Sequence, residues 1–185
     1  MKKSLFNFFE LSGILFCMVS VCLLRTIYVA SPQNTVAILF GSVNLSVWEQ
    51  LKPVILCYIL YGIIELMWAK PYFRQFVVSK ALGLYASVVL YIILSLFIPA
   101  ELGAPVTLAA IAAGFITSKF LTLSSVNLSC MFVPACLMLL LIFIMYFSFT
   151  AFPPKLGIFM DSESGMYGII PDYIDIGANR LKNVI

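Results

Sequence analysis

The chain has 185 residues, of which 63% are hydrophobic and only 10% charged, against about a quarter charged in a soluble domain. So little polar surface cannot keep a monomer dissolved, and the apolar residues fall in long runs of the kind that bilayer-crossing helices require. The net charge of +3 is too slight and scattered for nucleic acid to be a partner, and the absence of histidine removes the usual general base and the commonest metal ligand.

After Met1-Lys2-Lys3 the first apolar run extends from Phe6 to Ala30. It starts like a signal peptide, but Tyr28 stands where cleavage would need a small residue, and the run is long enough to cross a bilayer. It is therefore read as an uncleaved first span. Ser31-Pro32-Gln33-Asn34 forms a polar turn. The stretch from Thr35 to Leu51 is broken by Gly41, Asn44 and Glu49, and is expected to be interfacial or re-entrant. Further spans are expected at Pro53–Trp68, Val77–Ile98, Pro105–Leu121 and Phe132–Phe149. Pro153-Pro154 ends the last of them, and the tail that follows holds Asp161, Glu163, Asp172, Asp175, Arg180 and Lys182, which place it in water or at the interface. The fold class is thus an all-α membrane protein, a bundle of about five transmembrane helices over residues 1–150 with an extramembrane tail over 151–185.

Lys2, Lys3, Lys70, Arg74, Lys80 and Lys119 fall on one face of that topology. The positive-inside rule makes that face cytoplasmic, so the N-terminus is expected inside a cell membrane and the C-terminus outside. Small residues recur every four positions at Ser79, Gly83 and Ser87, and again at Ala110, Gly114 and Ser118. Such rows suit close helix packing, within the bundle or at an oligomer interface. The five cysteines, Cys17, Cys22, Cys57, Cys130 and Cys136, lie in or beside apolar runs and are expected to stay reduced.

Ser46-Val47-Trp48-Glu49 matches a capping box, with Pro53 following early in the helix it would start. Glu49 and Lys52 would then lie one turn apart. A capped helix with Trp48 in the aromatic belt and Lys52 snorkelling accounts for this stretch as well as a functional site does. Arg25, near the end of the first span, either snorkels or pairs, with Glu49 as its nearest partner on topological grounds. Glu10 and Glu65 are expected to reach water near the cytoplasmic ends of their spans. In the tail, Asp161, Glu163 and Gly165 fall short of a calcium loop; a structural lid over the bundle is the plainer reading of this segment. Four spans separate Lys52 from Pro153, so both emerge on one face. The candidate ligand-binding set there is Arg25, Asn44, Trp48, Glu49, Lys52, Lys155 and Asp161, with no catalytic residue, metal ligand or cofactor expected.

The order Phe9-Glu10-Leu11-x-Gly13-Ile14-Leu15-Phe16, then Asn44-x-Ser46-Val47-Trp48-Glu49-x-Leu51-Lys52, then Phe152-Pro153-Pro154-Lys155 with Asp161 and Tyr167-Gly168, resembles a family of uncharacterised bacterial membrane proteins. That family's central motif reads N-E-S-x-W-E-H-x-K, with another histidine late in the first helix. This chain departs from it at Leu45, at Gln50 and at Arg25, which stands at the first-helix histidine position. The resemblance implies a fold and no assigned activity; the lost histidines favour a diverged member that binds or scaffolds.

Three functions remain open. The outer polar cluster could bind a small ligand or lipid headgroup, although transport would need a polar path that the third to fifth spans barely offer. The chain could be an accessory subunit, its partners the lipid bilayer and another membrane protein or a second copy. It could also be a membrane-embedded enzyme using Glu49 and Asp161 as a carboxylate pair.

Overall fold

In the computed structural model the described residues are 3–31, 34–99, 102–124 and 126–169. The tail charges Asp172, Asp175, Arg180 and Lys182 lie outside them, as does Lys2.

Backbone polar groups inside a bilayer must be satisfied within their own segment, so long apolar runs become helices. Five helices here are long and apolar enough to cross a membrane. They are α1 (Lys3–Ala30), α3 (Val47–Ala69), α4 (Phe73–Phe97), α5 (Gly103–Leu123) and α6 (Phe132–Ala151), with a short α2 (Thr35–Phe40) between the first two. The chain is an all-α, multi-pass membrane protein. Its helix ends follow local chemistry. Asn34 caps α2 by accepting from the Val36 N–H, and Ser46 caps α3 by accepting from the Glu49 N–H. Lys70 ends α3 in the left-handed conformation, with φ of 43°. Ile98 ends α4 just before Pro99, as the residue preceding a proline tends to.

Two expected boundaries shift. The second span starts at Val47, six residues before Pro53, because the Ser46 cap and not the proline sets the helix start. The third starts at Phe73 instead of Val77, which brings Arg74 inside the helix. The stretch expected to be interfacial or re-entrant is a composite of α2, a tight turn over residues 41–46 and the first turn of α3.

The small-residue rows form the α4–α5 seam within the chain. A Cβ on Gly83 would lie 2.6 Å from the Gly114 carbonyl oxygen, and one on Gly114 would lie 3.0 Å from that of Gly83. Ser79, Ser87, Ala110 and Ser118 are buried along the same line. Behind it, Cys17, Leu51, Ile55, Tyr58, Leu84, Ile111 and Phe115 make the core, while α1 and α6 flank the bundle and leave most of their surface facing outward. All five cysteines are free thiols. After α6 the chain doubles back, and a single antiparallel bridge between Met160 and Tyr167 closes a turn over the end of the bundle.

Candidate functional site

At the end of the bundle where α1 stops and α3 starts, one proline organises the surroundings. Pro53 has no N–H, so the carbonyl of Glu49, four residues earlier, loses its helical donor. The Ser42 hydroxyl supplies the replacement, donating to that carbonyl at 2.7 Å. The next carbonyl, of Gln50, accepts from Arg25 Nη2 at 2.7 Å. The break in the α3 ladder is thus filled by a side chain from the preceding turn, and α1 reaches the neighbouring carbonyl.

The Glu49 and Lys52 side chains form a buried ion pair, with Nζ to Oε2 at 2.8 Å and exposures of 5% and 0%. Glu49 Oε2 also accepts from the Val43 N–H at 3.0 Å. Only half of the expected capping box forms. Ser46 Oγ caps the Glu49 N–H, but the Ser46 N–H is taken by Asn44 Oδ1 at 2.9 Å, which leaves the Glu49 carboxylate free for Val43 and Lys52. Lys52 does not snorkel. Its Nζ donates to Thr150 Oγ1 on α6 at 3.1 Å and to the Ile38 carbonyl near the end of α2 at 3.4 Å, where the negative end of the helix dipole favours a cation.

Asp161 clamps the tail to this corner. Its Oδ1 accepts from the Leu45 N–H at 2.8 Å, and its Oδ2 from the Ser164 N–H and hydroxyl at 2.8 and 2.7 Å. Burial acts to raise its pKa, but the hydrogen bonds from Ser164 and Leu45 together outweigh it and hold the carboxyl below the usual range. Asn44 adds a second tie, donating to the Gly168 carbonyl at 2.8 Å. Trp48 packs against Phe149 and Phe159 with ring centroids 5.2 and 5.4 Å apart, and its buried indole N–H meets no acceptor among the described residues.

Arg25 stands apart from that closed network. It does not pair with Glu49, because Lys52 is one turn away on the same helix and takes that carboxylate. Its Nη2 reaches Gln50 O and, at 3.2 Å, the Tyr91 hydroxyl, while its Nε is a buried donor without a partner among the described residues. Arg25 lines a cavity of about 610 Å³ between the helix ends and the tail, walled by Gln50, Tyr91, Ser95, Ser162 and Glu163 and by the apolar Leu45, Val47, Ile98 and Val106. Of the seven candidates, Asn44, Trp48, Glu49, Lys52 and Asp161 are thus joined in one buried corner, Arg25 opens on the neighbouring cavity, and Lys155 is exposed and belongs to neither.

The other end of the bundle holds a second cluster that the sequence reading did not join. Glu10 and Glu65 do not reach water: they are 3% and 0% exposed, and both pair with Lys80, at 3.1 and 2.6 Å. The signal was available, since the start of the first span, the end of the second and the start of the third share one face.

The model of DUF6512, a family of unknown function, matches residues 3–169. The chain belongs to DUF6512. That match takes in every described element of this DUF6512 protein, from α1 to the tail turn closed by Asp161. No curated protein and no solved structure matches it.

Proposed function

We propose that this DUF6512 protein is a membrane subunit that binds an anionic headgroup or small organic anion in the cavity beside Arg25. One observation carries the reading: a guanidinium with an unpartnered, buried Nε on the wall of a cavity of about 610 Å³. Guanidinium forks favour carboxylate and phosphate oxygens. Tyr91 and Ser95 offer further hydrogen bonds, and Leu45, Ile98 and Val106 offer an apolar wall for the start of an acyl or alkyl chain. Arg25 lies five residues before the end of α1, about 8 Å below it at the helical rise, a depth suited to a headgroup.

The resemblance to the N-E-S-x-W-E-H-x-K proteins supports the same place. Arg25, Leu45 and Gln50, the three positions that depart from that pattern, all line the cavity, so the replacements alter one site. By that resemblance the setting is a bacterial plasma membrane. The distribution of Lys and Arg supports a cytoplasmic N-terminus and an extracytoplasmic Arg25 cavity.

An accessory role fits better than transport or catalysis. Between the two polar ends the interior is apolar, with Cys17, Val21, Val54, Ile55, Leu84 and Ile111 in contact. The carboxylates of the enzymatic alternative, Glu49 and Asp161, are occupied by Lys52 and by backbone and serine donors.

Native mass spectrometry of the detergent-purified protein tests the proposal, with phosphatidylglycerol and inorganic phosphate as probes. The wild type and K155Q should retain a bound anion, and the two probes separate a lipid from a free phosphate. R25Q should bind about tenfold more weakly or worse, the equivalent of one charge-assisted hydrogen bond. Equal retention by R25Q and wild type would sink the reading.

A further inference from the structure

Glu10, Glu65 and Lys80 sit on α1, α3 and α4, and one ammonium serves both carboxylates, Glu65 Oε2 at 2.6 Å and Glu10 Oε1 at 3.1 Å. On its other sides the Lys80 Nζ meets the rings of Phe115, Phe76 and Tyr58, with centroids at 4.6, 5.4 and 5.6 Å. All three charged residues are more than nine-tenths buried.

Counted as fully ionised, this cluster holds two negative charges and one positive. An uncompensated charge in such a place is strongly disfavoured, and two carboxylates sharing a low-dielectric site do not both ionise readily. The second observation is independent of the count. Glu10 Oε2 and Glu65 Oε1 are buried acceptors that no donor among the described residues reaches, although the two carboxyl groups converge on the same ammonium. A hydrogen between them answers both facts.

We propose that Glu10 and Glu65 bind one proton between them at neutral pH, so that the triad is a proton-binding site in the bundle interior. Uptake forms one O–H bond on a carboxylate oxygen, with the proton drawn from water. No bond to carbon breaks, and the cluster goes from a net charge of −1 to neutral. The protonated carboxyl donates to its partner, and the remaining carboxylate balances Lys80. Loss of the proton restores an unpaired negative charge at the junction of α1, α3 and α4, which loosens α1 from its neighbours.

The other titratable groups facing the site leave this role to the carboxyls. From α3, Tyr58 donates to the Gly114 carbonyl at 3.0 Å and Tyr61 to that of Phe9 at 2.6 Å, both as neutral hydroxyls. On α1, Cys17 is a free, buried cysteine, and from α5 the uncharged ring of Phe115 faces the ammonium.

Infrared difference spectroscopy across a pH series, on the full chain in detergent, reads the proton directly. The wild type should show a protonated-carboxyl C=O band at neutral pH that disappears under alkali. E10Q and E65Q should each lose it, because glutamine supplies a neutral partner and leaves one carboxylate for Lys80. E49Q should keep it. A wild type without the band at neutral pH overturns the proposal whether or not any variant folds. So does a band that persists in E10Q or in E65Q.

Discussion

Lys52 Nζ lies 2.8 Å from Glu49 Oε2, one helical turn away, and neither group has an appreciable share of solvent. The pair is local in sequence, but its surroundings come from α2, the 41–46 turn and α6.

Breaking that pair from one side should be costly. K52M leaves a buried carboxylate with only the Val43 N–H, and E49Q leaves a buried ammonium. Each should lose about 3–5 kcal/mol, and the double variant should recover a large part of it, since a neutral, volume-matched replacement removes both desolvation penalties. Thermal unfolding in detergent, followed by Trp48 fluorescence in a W68F background, measures the cycle. Additive losses would mean that the two side chains do not depend on one another.

The proline and the serine make a sharper test. S42A strands the buried Glu49 carbonyl and should cost about 1–3 kcal/mol. P53A returns an N–H to that carbonyl, so in the P53A background the same S42A change should be close to neutral. An equal cost in both backgrounds would show that Ser42 acts through something other than the carbonyl that Pro53 frees.

Asp161 gives a pH dependence with a definite sign. Its carboxyl is depressed in the folded chain relative to an unfolded value of about 3.9. Its contribution to docking the tail is therefore complete above that value and is lost as the pH falls through the lower, folded one. Proteolysis within residues 155–168 should stay slow from neutral pH down to about pH 4, then accelerate in stronger acid. D161N should be cut faster from neutral pH down to about pH 4, having lost charge-assisted bonds worth about 1.5–3 kcal/mol, and the difference should close in stronger acid. Tail protection that is unchanged in D161N would remove Asp161 from the clamp.

Topology can be tested at exposed positions, since Asn44 and Asp161 are too buried to label. With the native cysteines replaced by serine, N34C and K155C should react with an impermeant thiol reagent from one compartment and K70C from the other. Labelling of N34C and K155C from opposite sides contradicts the fold.

Much of this architecture can be read from residue order because bilayer helices announce themselves by length and composition, and because parity alone sends Lys52 and Pro153 to the same face. The Ser46 cap was legible as well, although it outranked Pro53 as the helix start for a reason that spacing does not reveal: Ser42 repairs the one carbonyl the proline leaves open. Partner choice was the illegible part. Arg25 and Glu49 look complementary on paper, but Lys52 is nearer, and Arg25 turns to a carbonyl instead. Glu10 and Glu65 looked water-accessible one at a time. Their burial depends on α1, α3 and α4 bringing both carboxylates onto Lys80, which only the packed bundle determines.

The contact between Lys52 and Thr150 spans 98 positions of the chain. During synthesis, therefore, the lysine is made long before the hydroxyl that helps to enclose it, and a nascent chain holding α1 to α5 has an unfinished corner at the membrane surface. Products truncated before residue 150 should be recognised as incomplete by quality-control proteases, however well their earlier helices insert.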